Sequence, residues 1–288
     1  MADENSQSNK KIKDLQSELA RKDAELAKYR HQLGRANETL EKIIVDLDHE
    51  LKLAAKIQKL LSPTEMPSIP GFEFSSKFVP GMKSGGDYFD IFEHEDKLKF
   101  GILVSSSSGY TMSALFLSIL MKFSGQIEAR RGLSPEMVLK QLGSEILSEM
   151  GEKDSVSMFY AVVDRRNFEI KYSSVGKISC LYQSYSDEKM VQLESTGGPL
   201  SKASTFQPLA HSFQLNPRDR LILCTEGATR MNQVIQSLQK LSNSSVHDLR
   251  NEIVFQVESI NQSQFPDRDL TVLVTEVKDR VIKLAKKT

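Results

Sequence analysis

The chain has 288 residues, of which 39% are hydrophobic and 26% charged, a balance typical of a globular protein with a hydrophobic core. Its 38 basic and 38 acidic residues cancel, so no net charge favours nucleic acid or an anionic membrane. The polar N-terminus is unlike a signal peptide, and the longest apolar stretch, 114–123, is too short to span a bilayer. We therefore expect a cytoplasmic protein, with Cys180 and Cys224 as buried free thiols.

A heptad repeat of apolar residues runs through the first 62 residues. Its a positions are Ile12, Leu19, Leu26, Leu33, Leu40, Leu47, Ala54 and Leu61. The d positions include Lys22 and Glu50, which weaken the apolar seam locally. A lone helix this polar has nothing to bury its stripe against, so the pattern predicts a coiled coil that joins copies of the chain, such as a homodimer. A solvated single helix and a helix folded back on the domain are the alternatives.

Short alternating runs, which are typical of strands, replace the heptads after Pro70. The predicted strands are 72–79, 97–104, 155–163, 169–174, 178–185, 190–193, 220–224 and 270–277, and the predicted helices are 112–130, 135–150, 231–241 and 246–260. Runs of strands interrupted by pairs of helices predict an α+β fold in which helices cover antiparallel sheets. We expect a coiled coil over 1–62, one domain over 63–280 and a basic tail over 281–288.

Seven short motifs between Ala54 and Val274 resemble, in order and spacing, those of the SpoIIE/RsbU branch of the PPM serine/threonine phosphatases. They are AAKIQKLLSP, SGGDYFD, SSSGYTMSAL, MFYAVVD, GGPL, PRDRLILCTEG and DRDLTVLV. The resemblance implies an αββα sandwich with two Mg²⁺ or Mn²⁺ ions between its sheets, where a metal-bound water attacks a phosphoserine or phosphothreonine. It also implies a phosphoprotein partner, such as an anti-anti-sigma factor, in partner-switching regulation controlled by an N-terminal coiled coil.

The resemblance carries four acidic metal-ligand positions onto this chain, and two of them are not acidic here. Asp87 matches the acid of the Gly-Gly-Asp motif, and Glu226 replaces the aspartate of Thr-Asp-Gly. Ser106 replaces the aspartate that opens Asp-x-Ser-Gly-His-Gly, and Arg268 replaces the first aspartate of Asp-Asp-x-Thr. The neighbouring positions Gly86, Ser107 and Asp269 are secondary candidates.

These replacements predict a weakened metal site. Two dications need hard oxygen ligands, mostly carboxylates, whereas these four positions supply a net charge of only −1. We therefore expect no catalytic residue and no cofactor, with a residual Mn²⁺ or Mg²⁺ site at Asp87 and Glu226 as the alternative. Arg268 either pairs with those two acids or reaches solvent. Because neighbouring residues of a strand face opposite sides, Asp269 is expected to point away from Arg268.

Three functions remain open. The favoured one is a catalytically impaired regulator, a pseudophosphatase that acts by binding a protein. The second is a divergent but active phosphatase, against which Ser106 and Arg268 argue. The third is a dimerising scaffold, against which the retained acids Asp87 and Glu226 argue.

Some residues that suggest a site are given a structural interpretation instead. We expect His94 and His211 to lie in surface loops, because no motif ties them to a nucleophile. Ser105–Ser108 reads as a polar turn between a strand and a helix, with Ser108 or Gly109 as the helix cap. The long segment 195–210 is expected to form a flap or a partner-docking loop.

Overall fold

The structure, a computed structural model, describes most of the chain. The described residues are 2–61, 66–81, 86–108, 111–130, 132–204, 206–228, 235, 237–239, 241–261 and 266–278. Two compact units divide the chain, one at Met1–Leu53 and the other at Ala54–Thr288.

The N-terminal helix α1 spans Ala2–Leu61 and has 60 residues. Its interior contains no proline, and residues with high helix propensity fill most positions between the seam leucines. Leu19, Leu26 and Leu33 of the seam are each more than half exposed, at 63%, 53% and 61%. The predicted long helix is confirmed, whereas the coiled coil stays a prediction because only a second helix would bury this seam. None of the described helices has the length and hydropathy needed to cross a membrane.

Ten strands and three helices with described boundaries follow α1. The strands are β1 Phe72–Val79, β2 Gly86–Glu93, β3 Lys99–Ser108, β4 Ser155–Asp164, β5 Glu169–Val175, β6 Ser179–Ser184, β7 Lys189–Gln192, β8 His211–Gln214, β9 Arg220–Cys224 and β10 Leu270–Val277. The helices are α2 Thr111–Arg130, α3 Pro135–Leu147 and α4 Val246–Asn261.

The strands form two antiparallel sheets of five strands each. The first sheet has the order β1-β10-β9-β6-β7, and the second has the order β2-β3-β4-β5-β8. Helices α2 and α3 pack on the outer face of the second sheet, and α4 packs on the first sheet at β1 and β10. This arrangement confirms the predicted αββα sandwich.

Alternation along β3 shows how the core positions the candidate site. Phe100, Ile102 and Val104 point into the core between the two sheets, while Leu103 points into the core under α2 and α3. Since side chains alternate with a period of two, Ser106 continues the inward row. The apolar core therefore ends in a polar layer between the sheets.

The structure extends the predicted element assignment and corrects part of it. Strand β2 was not predicted as a strand, because its opening glycine and acids are also typical of loops. Strand β8 was also missed, and it places His211 in a sheet, where this residue is partly buried. His94 was predicted to lie on the surface, but its side chain is buried and only 7% exposed. The predicted helix 231–241 lies largely outside the described residues, and Gly109, one of the two predicted caps, lies wholly outside them. Ser105–Ser108, predicted as a turn, instead form the end of strand β3.

Two local predictions are confirmed. The predicted helix 135–150 begins at Pro135, after an extended Ser134, although it ends at Leu147, three residues early. Both cysteines are buried and free. Burial in the apolar interior raises the pKa of the Cys180 thiol to about 12, so this thiol stays protonated at neutral pH.

Candidate functional site

The centre of the candidate site is a row of polar side chains across three neighbouring strands. Asp87 of β2 lies opposite Ser106 of β3, and Ser106 lies opposite Ser157 of β4. All three side chains face the space between the sheets and are at most 4% exposed. The sheet register therefore brings together Asp87 and Ser106, two of the four residues that the motifs predicted.

Three hydroxyl groups surround the Asp87 carboxylate. Ser106 Oγ donates to Oδ1 at 2.7 Å. From the first sheet, Thr225 Oγ1 and Thr271 Oγ1 donate to Oδ2 at 2.5 Å and 3.0 Å. The Thr225 hydroxyl also accepts a hydrogen bond of 2.7 Å from the Thr271 backbone N–H, which fixes its direction. Both carboxylate oxygens of Asp87 are thus bound by donors of the protein itself.

Burial raises the pKa of Asp87 to about 7, well above the ordinary value of 3.8. Removal from water penalises the charged form, and the negative charge of Asp269 adds to this effect. The hydroxyls of Ser106, Thr225 and Thr271 act in the opposite direction, because each stabilises the charged form. Near neutral pH this carboxyl group is therefore poised between its charged and neutral forms.

Asp269 occupies a tightly packed corner on the first sheet. It is 2% exposed, and its Oδ1 accepts a hydrogen bond of 2.9 Å from the Gly81 backbone N–H. Its carbonyl oxygen accepts a second bond, of 3.1 Å, from the N–H of Gly227. A Cβ atom on Gly81 would lie 2.2 Å from the Arg268 backbone, so only glycine allows the loop to approach this closely.

Glu226 and Arg268 form an ion pair at the same end of the sandwich. Arg268 Nη1 lies 3.4 Å from Glu226 Oε2, and the exposed side-chain fractions are 43% for Arg268 and 5% for Glu226. Ser157 Oγ donates to the other oxygen, Glu226 Oε1, at 2.9 Å, and accepts the Lys177 backbone N–H at 3.1 Å. Arg268 therefore neutralises Glu226, while the described polar contacts of Asp87 are to hydroxyl groups.

The secondary candidates Gly86 and Ser107 hold helix α2 against the second sheet. Ser107 Oγ donates to the carbonyl oxygens of Gly86 and Ala114, each at 2.9 Å. A Cβ atom on Gly86 would lie 2.1 Å from the Ala114 oxygen, so the helix start could not approach β2 this closely with a larger residue. Because Ser107 faces away from Asp87, we assign both residues a positioning role.

The sequence motifs did not identify Thr225, Thr271 and Ser157 as part of the site. Thr271 could have been found from the Asp-Asp-x-Thr motif, since it occupies the threonine position two residues after Asp269. Thr225 directly precedes Glu226, but only the packing of one sheet on the other brings its hydroxyl to Asp87. Within the described part of the chain, no three His, Cys, Asp or Glu side chains are grouped so that they could hold a metal ion.

Comparison with known proteins identifies relatives of the domain. Residues 96–278 match the family model of stage II sporulation protein E (SpoIIE). The chain is 24% identical to the phosphoserine phosphatase RsbU of Bacillus subtilis over 193 residues, which are 67% of this chain and 57% of RsbU. It is 24% identical to the phosphoserine phosphatase RsbP of Bacillus subtilis over 239 residues, which are 80% of this chain and 58% of RsbP. The chain thus spans less than two thirds of each relative.

Solved structures share the fold of this domain. The SiaA-PP2C domain of Pseudomonas aeruginosa superposes with a TM-score of 0.65 at 17% identity, covering 81% of this chain and 98% of that domain. The RsbU and RsbW domains of Rv1364c from Mycobacterium tuberculosis give a TM-score of 0.62 at 17% identity, covering 75% of this chain and 62% of that one. Since the family model matches more than half of the chain, the chain belongs to the SpoIIE family and carries a PPM-type phosphatase domain.

Proposed function

We propose that this chain is a signalling regulator that keeps the phosphatase fold, has lost the two-metal chemistry and acts by binding a protein partner. The observation that carries the proposal is the set of contacts around Asp87 and Glu226. Hydroxyl donors bind both oxygens of Asp87, and the Arg268 guanidinium pairs with Glu226. A pseudophosphatase of this kind needs no cofactor.

Charge makes these residues a poor fit to two Mg²⁺ or Mn²⁺ ions. A guanidinium about 5 Å from a dication costs about 7 kcal/mol at an effective dielectric constant near 20, and solvent exposure of Arg268 reduces this figure. Ser106 supplies a neutral hydroxyl in place of a carboxylate. Metal binding would also require Asp87 to exchange its hydroxyl donors for an ion. We therefore derive no reaction step through a metal in this protein.

The proposed partner is a phosphoprotein of the anti-anti-sigma class in a partner-switching pathway. The relationship to RsbU and RsbP supports this class, and a stressosome structure is among the similar folds. The segment 195–210 is the proposed docking loop. A backbone bridge to Val156 holds Leu200 within this segment, while Gly197 and Gly198 are exposed. The exposed seam of α1 would join two copies, and we expect the protein in the cytoplasm.

A divergent but active phosphatase is the second candidate, because the inward-facing acids have not all been lost. Asp87, Glu226 and Asp269 are all buried at the same end of the sandwich. If Arg268 moved into solvent, Glu226 would lose its ion-pair partner and could contribute to cation binding together with Asp87.

Calorimetric titration of Mn²⁺ into the chelator-treated full chain distinguishes the pseudophosphatase from the active phosphatase. We expect no binding at concentrations up to about 1 mM. The double variant S106D/R268D should gain Mn²⁺ binding and a melting temperature that rises with Mn²⁺. The charge-matched control S148D/K189D alters two exposed positions away from the site and should gain neither. Tight binding of two Mn²⁺ ions by the unaltered chain, together with hydrolysis of p-nitrophenyl phosphate, would establish the active phosphatase instead.

A further inference from the structure

A cavity of about 400 Å³ lies at the end of β2 and β3 opposite to Asp87. His94 and Lys99 of the β2–β3 turn, Ser134 before α3 and Lys171 of β5 contribute to its lining. Seven residues of extended chain separate Asp87 from His94, a distance of about 23 Å at about 3.3 Å per residue. The cavity is therefore separate from the candidate site described above.

The imidazole of His94 gives the cavity a preorganised wall. Its Nε2 lies 3.0 Å from the Tyr160 hydroxyl, and its ring stacks on Phe92 with 5.9 Å between centroids. A Cβ atom on Gly101 would lie 2.6 Å from the Phe92 ring, so glycine leaves the space that this ring pair occupies. Burial and the charge of Lys99 lower the pKa of His94, which keeps the ring neutral at neutral pH.

The charges lining the cavity leave two cations available. Lys99 and Lys171 have no carboxylate within ion-pair distance among the residues that the structure describes. Asp96 also lines the cavity, but Arg166 binds its Oδ2 at 2.6 Å. Glu95 and Lys171 are both exposed, so water screens both of their charges. With Asp96 paired, the half-buried Lys99 ammonium is the main positive charge at the cavity.

Helix α3, of 13 residues, begins at the same cavity. The Ser134 hydroxyl makes no cap bond to the helix backbone and donates to the Glu136 carboxylate at 2.5 Å. Because α3 begins at the cavity, the positive end of its dipole adds to the field of the two lysines. The negative charge of Glu136 offsets part of this dipole. Apolar contacts are also available, from Leu133, Pro135 and Val162.

We propose that this cavity binds a small phosphate monoester. Two ammonium groups match the charge of a phosphate monoester, about −1.5 to −2 at neutral pH, and lysine is a common partner of phosphate. The apolar wall suits an organic substituent, and the volume is within the range of small-molecule sites, about 300–1,000 Å³. Such a ligand would bring a metabolic input to the regulator without entering the Asp87 cluster.

Phenyl phosphate, which carries one phosphate group and an apolar ring, is a suitable probe for calorimetry with the full chain. The double variant K99Q/K171Q should bind it at least about tenfold more weakly than the unaltered chain. The control K77Q/K189Q removes two exposed lysines from other strands and should leave the affinity unchanged. The single variant K171Q changes an exposed side chain, and it provides the same test if the double variant does not fold.

Four results would overturn the proposal. Absence of phenyl phosphate binding at about 10 mM would exclude a phosphate monoester site in this cavity. Equal binding by K171Q and the unaltered chain would place the ligand elsewhere, and loss of binding in R268Q would place it at the Glu226–Arg268 pair. Binding of a phosphoserine peptide without binding of phenyl phosphate would show that the surface recognises a protein and not a small molecule.

Discussion

The Ser106 hydroxyl donates a hydrogen bond of 2.7 Å to the carboxylate of Asp87, its partner across the β2–β3 ladder. In the motif that this sequence resembles, the position of Ser106 is an aspartate. The serine thus replaces a charge that would repel Asp87 with a donor that stabilises it. Protein groups alone can therefore supply the hydrogen bonds that the buried Asp87 carboxylate needs at this end of the sandwich.

Removing this donor should destabilise the domain. We expect S106A to lower the free energy of unfolding by about 1–3 kcal/mol, because a buried carboxylate oxygen loses a hydrogen bond. Urea denaturation of the chelator-treated protein measures the change. The control S148A removes an exposed hydroxyl that bonds to the Glu145 carbonyl, and it should change stability by less than about 0.5 kcal/mol. Equal stability of S106A and the unaltered chain would contradict the role assigned to Ser106.

The raised pKa of Asp87 makes stability depend on pH. Below its ordinary value of 3.8 the carboxyl group is protonated in both states, and between 3.8 and about 7 the folded state retains a proton that the unfolded state releases. The free energy of unfolding should therefore fall as pH rises through this window, with a ceiling of about 4 kcal/mol for this group. Urea denaturation at pH 4 to 8 without metal tests the slope.

The variant D87N is the check on that assignment, because an amide does not titrate. Its stability should lack the part of the pH slope that comes from Asp87, while D267N, which alters an exposed carboxylate, should keep the slope. A slope that persists unchanged in D87N would assign the pH dependence to other groups.

The Glu226–Arg268 pair should contribute only modestly to stability. Arg268 is 43% exposed, so water screens the attraction, and we expect R268Q to cost about 1 kcal/mol. A double-mutant cycle with E226Q should give a coupling energy of about 0.5–1 kcal/mol that decreases in 1 M salt. The Arg166–Asp96 pair, with 38% exposure on each side, provides a reference in which both side chains reach water. A coupling energy of zero would mean that the two side chains do not interact in solution.

Self-association through the α1 seam can be tested by measuring the molar mass of the protein in solution. The variant L26K/L33K places two charges at a positions and should convert a self-associated chain into a monomer in light scattering. The control A24K/H31K adds lysines at outer positions of the same heptads and should preserve self-association. A monomeric unaltered chain would refute the coiled coil and leave α1 as a solvated single helix.

Patterns local in sequence predicted an α+β fold with helices covering antiparallel sheets, and the family resemblance implied the αββα sandwich. The period of two along segments such as β3, β4 and β10 predicted strands, and the helix predicted from residue 135 is α3. Strand β2 was missed because its Gly-Asp opening has the composition of a turn, and only pairing with β3 makes it a strand. His94 was misjudged because its burial depends on Phe92 and Tyr160, which the histidine meets after folding.

By itself, the sequence determined the heptads of α1, eight of the ten strands, and the loss of acids at Ser106 and Arg268. These properties depend on residue identity and on spacings of a few residues. Only the tertiary structure decided how Asp87 is satisfied, since Thr225 and Thr271 lie 138 and 184 residues away and belong to the opposite sheet. A hydrogen bond between sheets depends on how their faces pack, and no local pattern in the chain encodes that distance.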